Sequence, residues 1–375
     1  MKLTTAGESH GKMLLGILEG VPSNLHVDIE EINGYLALRQ SGYGRGGRQK
    51  IEKDCVEIFS GVRNSTTLGS PIAFGVANRD YANWSAVMGA ESADLTKKTL
   101  TRVRPGHADL TGVIKYAHSD ARNVLERASA RETAVRVAGG TIARQYLRAL
   151  GVEVSGYVKS IGGVQDGGVY KFDELDKVKD YSLFMPDESA RGQAEKLIDK
   201  AKAEGDTLGG VIELRVKGLK SGFGSCMTYS QKLDAILCGA LMSVQAIKGV
   251  EVGMGFLAAA RLGSEVHDEI FYKDGKYFRK TNNAGGIEGG MSNGEELVLR
   301  AAMKPIPTLM KGLKTVDIST GEACVASNER SDVCAICACE IVLESVLCLT
   351  LADVIADRLG GDNMVEVKER YNKLP

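Results

Sequence analysis

Glycine is the residue this chain overuses: 45 of its 375 residues, well above the usual ~7%. Glycine supplies positive φ and lets backbone approach a ligand closely. A chain so rich in it builds many tight loops, and loops of this kind gather around small molecules. The glycines group into polar stretches such as Gly42–Gly47 and Gly285–Gly294, between segments with clear helical or strand patterning.

The remaining composition excludes several classes. Hydrophobic residues make up 43% and charged residues 25%, as in ordinary globular proteins. The formal net charge is −1, which argues against a protein that lives on nucleic acid or on an anionic membrane. Aromatics are scarce at 6%, with a single Trp, so stacking platforms for single-stranded nucleic acid are not expected. No uncharged apolar run reaches the ~20 residues of a membrane span. The start, Met1-Lys2-Leu3-Thr4-Thr5, has no apolar signal region. Eight cysteines in mostly apolar surroundings read as reduced core thiols of a cytoplasmic protein.

The patterning predicts a strand over Met1–Thr5 and a helix over 28–40 with Asp28 as cap and Glu31 in the box position. Strands follow at 54–60 and 70–77, then a polar irregular stretch over 80–106. The clearest helix is 129–150, where Ser129 and Glu132 have capping-box spacing and Gly151 stands past the end. Strands are expected at 152–159, 210–216, 250–256 and within 292–307, and helices at 190–204 and 230–243. A long apolar helix over 333–358 stops at Gly360-Gly361, before a short terminal helix. There is no repeat, linker or break in composition, so one intertwined α+β domain over residues 1–375 is expected.

Six segments carry groups suited to chemistry. Gly7-Glu8-Ser9-His10-Gly11 holds a histidine among small residues after a strand, able to reach a ligand and to hold or give a proton; the plain alternative is a turn with a solvated imidazole. Arg39, Arg45 and Arg48 surround a glycine-rich loop, and guanidinium forks match phosphate and carboxylate; the alternative is a solvated loop. The G-x-G-x-x-G match inside it follows a helix, not a strand, so a dinucleotide fold is rejected. His107 sits in a Pro-Gly turn beside Arg102 and Arg104. Arg127 and Arg131 flank a helix N-terminus, which attracts anions. Gly285–Gly294 with Met303–Thr308 reads as a backbone cradle with one lysine, Lys304. Arg330-Ser331-Asp332 opens the long helix, where Asp332 as a plain N-cap is the structural alternative. Cys334, Cys337 and Cys339 lack the further ligand pair that a zinc site needs; core packing is expected and no metal.

Taken together and in order, GESHG, GYGRGGR, SGVRNSTTLGSPIAF, RPGHAD, SARETA, AGGIEGGMSNGE, KPIPT and RSD resemble the chorismate synthases, over roughly residues 1–360. The resemblance implies a helical layer sandwiched between two antiparallel β-sheets and a homotetramer. It implies a phosphate-eliminating carbon–oxygen lyase acting at the last step of the shikimate pathway, in aromatic amino-acid biosynthesis. The reaction is trans-1,4-elimination of phosphate from 5-enolpyruvylshikimate 3-phosphate to give chorismate, with reduced FMN and no net redox change. His10 resembles the acid near the departing phosphate, His107 the acid beside the flavin, and Asp332 the carboxylate near flavin N5. Arg39, Arg45, Arg48 and Arg131 resemble substrate anchors, the first two also nicotinamide-nucleotide contacts. Arg127, Ala128, Ser129, Gln245, Ala246, Gly289, Lys304, Pro305, Ile306, Pro307, Thr308 and Arg330 resemble flavin contacts. Ala128 and Gln245 depart from the family's usual Ser and Asn, which bears on individual flavin hydrogen bonds; Cys337 stands where Pro is usual, which reads as local drift within a helix. No segment reads as a nicotinamide-binding domain, so NADPH enters only as an indirect reductant through an external flavin reductase.

Two rivals remain at this level. A different flavin- or phosphate-binding lyase sharing only these loops would bind FMN but leave the expected substrate unchanged. An RNA-binding scaffold using the arginine–glycine loop would show steeply salt-dependent RNA binding.

Overall fold

Strand-forming residues at the chain start, Lys2–Ala6 (β1) and Met13–Glu19 (β2), pair antiparallel as a hairpin across the GESHG loop. In the computed structural model, which describes residues 1–46, 53–327 and 331–375, this hairpin joins Val56–Ile58 (β3) and Ile72–Ala77 (β4) in an antiparallel sheet of order β1-β2-β4-β3. A second antiparallel sheet is made of Glu153–Ile161 (β5), Val164–Gln165 (β6), Gly210–Lys217 (β7), Ile247–Val252 (β8) and Leu297–Met303 (β9), in the order β8-β9-β7-β5-β6. Smaller two-stranded hairpins lie outside these sheets.

The helices are Ile29–Gln40 (α1), Asp109–Tyr116 (α2), Arg122–Ala128 (α3), Thr133–Ala149 (α4), Glu188–Ala203 (α5), Leu233–Met242 (α6), Ile336–Leu359 (α7) and Met364–Asn372 (α8). Helix α4 packs on β1, β2 and β4 and against α7, and α7 packs on β5 and β7. Nearly the whole of α4 and the first half of α7 are buried. The main core runs through both sheets and these helices, from Leu14 and Phe74 through Ile142 and Leu343 to Leu214. Cys334, Cys337, Cys339 and Cys348 belong to it.

Several expectations are corrected. Strand β2 was not expected, because Met13-Leu14-Leu15-Gly16-Ile17-Leu18 is apolar on both faces in sequence, although its residues alternate between buried and exposed. The short helices α2 and α3 were not expected. Asp28 does cap α1, accepting from the amides of Glu30 (2.9 Å) and Glu31 (3.2 Å), but no box forms: Glu31 instead pairs with Arg148 at 2.7 Å. Ser129 caps a 3₁₀ turn, Ala130–Glu132, and Glu132 turns away to Thr5 and Arg136. The expected strand over 250–256 starts and ends earlier, since Gly253 and Gly255 take φ of 58° and 55°.

The apolar pattern of α7 also conceals charge. Glu340 and Glu344 are buried there, with Arg144 Nη2 2.6 Å from Glu344 and Lys179 bridging the two carboxylates. Burial, and then Glu344, push the Glu340 carboxyl well up. Burial acts the same way on Glu344, but Lys179 and Arg144 outweigh it and hold that carboxyl down. Arg144 and Lys179 also donate to the strand carbonyls of Val154 and Gly156, fixing α4 and α7 against β5.

The α4–α7 contact depends on Gly140. A Cβ there would lie 2.5 Å from Ser345 Cβ and 2.6 Å from its carbonyl oxygen. Alanine favours an isolated helix by about 1 kcal/mol, yet Gly140→Ala should destabilise the fold by about 1–3 kcal/mol, the usual cost of overpacking. Urea unfolding followed by circular dichroism checks the sign; a stabilised variant would show that the helices are free to separate.

Candidate active site

The centre of the site is a carboxylate between two guanidiniums. Asp54 Oδ2 accepts from Arg39 Nη2 at 2.7 Å, and both Asp54 oxygens lie 2.7 Å from Arg131 Nη1. Arg39 comes from the last turn of α1 and Arg131 from the 3₁₀ turn before α4. All three side chains are buried. Burial pushes the Asp54 carboxyl up, but Arg39 and Arg131 outweigh it and hold it below the usual carboxylate range. Burial lowers Arg39 to about 10; Asp54 opposes this, while Arg131 and Arg45 add repulsion. Two cations on one carboxylate leave an excess of positive charge, which suits an anionic ligand.

Arg131 reaches further. Its Nε donates to Asn78 Oδ1 at 2.8 Å, and Asn78 Nδ2 donates to the carbonyls of Glu8 (3.1 Å) and Gly11 (2.7 Å). The arginine thereby fixes both sides of the loop that carries His10. The imidazole Nδ1 lies 2.9 and 3.0 Å from the two oxygens of Glu126, which also accepts from the His10 amide at 2.8 Å. Burial pushes the Glu126 carboxyl up, but His10 outweighs it and the carboxylate stays ionised. A carboxylate only accepts, so Nδ1 carries the proton and Nε2 is left to act on a ligand. The ring stacks on Trp84, with centroids 3.8 Å apart.

His107 is held by the same logic. Its Nδ1 is 2.5 Å from Asp109 Oδ1 and 3.0 Å from Arg104 Nη2. The Asp109 carboxylate only accepts, so Nδ1 carries the hydrogen and donates it to Asp109, while Arg104 Nη2 donates to Asp109 Oδ1 at 3.0 Å. Burial pushes Asp109 up, but hydrogen bonds from His107 and Arg104 hold it far below the ordinary range. Arg104 Nη1 also reaches Thr308 Oγ1 at 3.1 Å, and Lys304 Nζ donates to the Gly106 carbonyl at 2.6 Å. The lysine itself is lowered by burial and by Lys248.

Glu132 joins the two histidine regions. It accepts from Thr5 Oγ1 (2.8 Å), Arg136 Nε (3.1 Å) and Gln245 Nε2 (3.4 Å). Arg127 donates to the carbonyls of Thr5 and Gly7, and Ser129 Oγ lies 3.2 Å from Ser9 Oγ. Ala246, in the left-handed region at φ 69°, accepts from the Lys304 amide at 2.9 Å. Arg127, Ser129, Gln245, Ala246, Lys304 and Thr308 therefore fall on one hydrogen-bonded route between His10 and His107. Ala128 ends α3 beside them, and Pro305, Ile306 and Pro307 connect Lys304 to Thr308. Gly289 lies at the tip of the hairpin Ile287–Ser292, where φ is 58°.

Asp332 is not a helix cap. Helix α7 begins at Ile336, with Ala335 at the cap position. Asp332 Oδ1 instead accepts from the Gly46 amide at 2.5 Å, and Oδ2 pairs with Arg45 Nη1 at 3.0 Å. The close approach needs glycine: a Cβ on Gly46 would lie 2.9 Å from the Ser331 carbonyl oxygen. Arg48 and Arg330 lie outside the described residues.

The partners of these side chains are what sequence reasoning missed. Asp54, Asn78, Trp84 and Glu126 had no assigned role, Glu132 was read only as a capping-box partner, and Asp109 only as the end of RPGHAD. Among the described residues, Arg39 Nε, Arg45 Nε and Gln245 Oε1 in the site are buried without a partner, as are Tyr146 Oη, Asn293 Nδ2 and Glu340 Oε2 elsewhere in the molecule. Buried polar groups are normally satisfied, so the site's own atoms fit completion by a polar, anionic ligand and a hydrogen-bonding cofactor.

Asp54 yields a test of this electrostatic frame. Replacing it by Asn leaves two buried guanidiniums short of a counter-charge and should cost about 3 kcal/mol at neutral pH. A folded-state pKa below its unfolded value gives stability that is present above about 3.9 and lost as pH falls through the folded pKa. The gap between wild type and Asp54→Asn should therefore narrow in acid. Denaturant unfolding of both across pH checks this; a gap independent of pH would contradict it.

The chain is similar to known proteins over its full length. The family model for chorismate synthase matches residues 1–356. A chorismate synthase of Alkaliphilus metalliredigens is 54% identical over 372 residues, covering 99% of this chain and 98% of that protein. One from Caldicellulosiruptor bescii is 50% identical over 379 residues, covering 100% and 99%. A crystal structure of a chorismate synthase superposes with a TM-score of 0.79 at 40% identity, covering 99% of this chain and 96% of that one. The chain belongs to the chorismate synthase family.

Proposed function

We propose that the chain converts 5-enolpyruvylshikimate 3-phosphate to chorismate by trans-1,4-elimination of phosphate, with reduced FMN bound beside the substrate. The observation that supports this most is the pair of imidazoles, His10 and His107. Each has Nδ1 committed to a buried carboxylate and Nε2 left over, at the two ends of one network with surplus positive charge. A substrate with a phosphate and two carboxylates matches such a pocket. Arg39, Arg45, Arg48 and Arg131 anchor it; His10 protonates the departing phosphate and His107 acts beside the flavin. Asp332 accepts the ring proton. The guanidiniums stabilise charge that builds on the leaving oxygen.

Arg127, Ala128, Ser129, Gln245, Ala246, Gly289, Lys304–Thr308 and Arg330 hold the FMN. Reduced FMN held there would supply reversible electron transfer to the breaking C–O bond. Electrons reach it from outside the chain, with NADPH as the indirect source through a flavin reductase. In this assignment α1, α4 and α7 form one layer between the two antiparallel sheets, residues 1–375 act as one catalytic domain, and four copies assemble in the cytoplasm. Among the described residues no helix is long and apolar enough to cross a membrane.

Replacing His10 or His107 by Ala should lower turnover by at least ~10²-fold, the usual general-acid contribution, with the fold retained. In Asp332→Asn the side-chain oxygen still accepts from Gly46 while the Arg45 ion pair is lost, so the fold should be retained with a slightly lower melting temperature and turnover should fall at least as far. Anaerobic assays of phosphate and chorismate release on the three variants check these roles. Near-wild-type turnover in any of them removes that residue's role.

A further inference from the structure

Trp84 is the only tryptophan in the chain, and it is buried within a stretch otherwise short of regular structure. It follows the 3₁₀ turn Arg79–Asn83, and its Nε1 donates to Asp80 Oδ2 at 3.1 Å. The amides of Val87 and Met88 each bond its carbonyl at 2.8 Å. Its indole lies against the His10 imidazole, centroids 3.8 Å apart and planes 20° from parallel. Lys98 Nζ sits 3.5 Å from the indole centroid, and the Arg122 guanidinium carbon 5.3 Å. Arg122 also pairs with Glu126 at 3.5 Å. The charged and titratable groups around His10 are thus Glu126 and Arg122 from α3, Lys98, and Asp80 beyond the indole.

Glu126 alone fixes one nitrogen of the ring but leaves rotation about the Nδ1–carboxylate line open. A flat aromatic surface against the imidazole removes that freedom and keeps water from the covered face. Lysine held over the indole anchors the platform through the ring's negative face. We propose that Trp84 is the positioning residue for His10, setting the imidazole plane so that Nε2 points at the bound substrate. This rests on the assignment of His10 as the acid at the departing phosphate. A misplaced proton donor loses rate without a matching loss of binding.

The single tryptophan makes the contact measurable. A protonated imidazole in contact with indole quenches its emission, so emission of the folded chain should fall in one step on acidification. That step should vanish in His10→Ala. Turnover adds the second arm. Trp84→Phe keeps a stacking ring and should stay within about threefold of wild type, whereas Trp84→Ala should lose kcat at least ~10-fold with KM within about twofold. A pH step that persists in His10→Ala overturns the proposal, as does wild-type kcat in folded Trp84→Ala or an equal loss in Trp84→Phe. The emission titration decides the matter even where Trp84→Ala does not fold. Full turnover in His10→Ala with the emission step abolished overturns the acid assignment alone and upholds the stacked contact.

Discussion

The site depends on the pairing of Asp54 with Arg39 and Arg131. Without that carboxylate two buried guanidiniums would repel one another at close range, at a cost of about 3 kcal/mol of stability. With it, the last turn of α1 is tied to the turn before α4, and Arg131 is free to hold Asn78 through its Nε. Asn78 then fixes the GESHG loop by two carbonyls. Positive charge is retained in surplus and its direction is set before any anion arrives, which is the condition for electrostatic catalysis without reorganisation.

Rigidity behind this cluster comes from the helices. Gly140 lets α4 approach Ser345 of α7 closely, and the buried Arg144, Lys179, Glu340 and Glu344 fix both helices to strand carbonyls. The same α7 is preceded by Asp332, whose two oxygens take Gly46 and Arg45 from the glycine-rich loop. A side chain on that loop is therefore aimed by a group far away in sequence. Glycine at 46 serves close approach, as the excess of glycine suggests, whereas Gly289 serves a hairpin turn at φ 58°.

Much of this was legible in the sequence, and the illegible part has a common cause. Helices with clean apolar periodicity, such as those at 190–204 and 230–243, fall within a few residues of their observed ends. The chemically marked loops around His10, His107 and Arg131 identify groups that one network does connect. What fails is whatever depends on a distant partner. Glu31, Glu132 and Asp332 look like caps because local spacing allows it, but each carboxylate meets partners distant in sequence: Arg148 for Glu31, Thr5 and Gln245 for Glu132, Arg45 and Gly46 for Asp332. Glu126 and Trp84 have no local mark, since their importance comes only from lying beside His10. Strand β2 hides because it is apolar on both faces.

The central claim is that this network of histidines, arginines and Asp332 serves elimination of phosphate with a flavin that is neither consumed nor permanently oxidised. The direct measurement is an anaerobic incubation of the purified chain with 5-enolpyruvylshikimate 3-phosphate and reduced FMN, following phosphate, chorismate and flavin absorbance together. The account predicts phosphate and chorismate in equal amounts over many turnovers, with the flavin reduced at the end. Flavin oxidised in step with product, or phosphate released without chorismate, would contradict it.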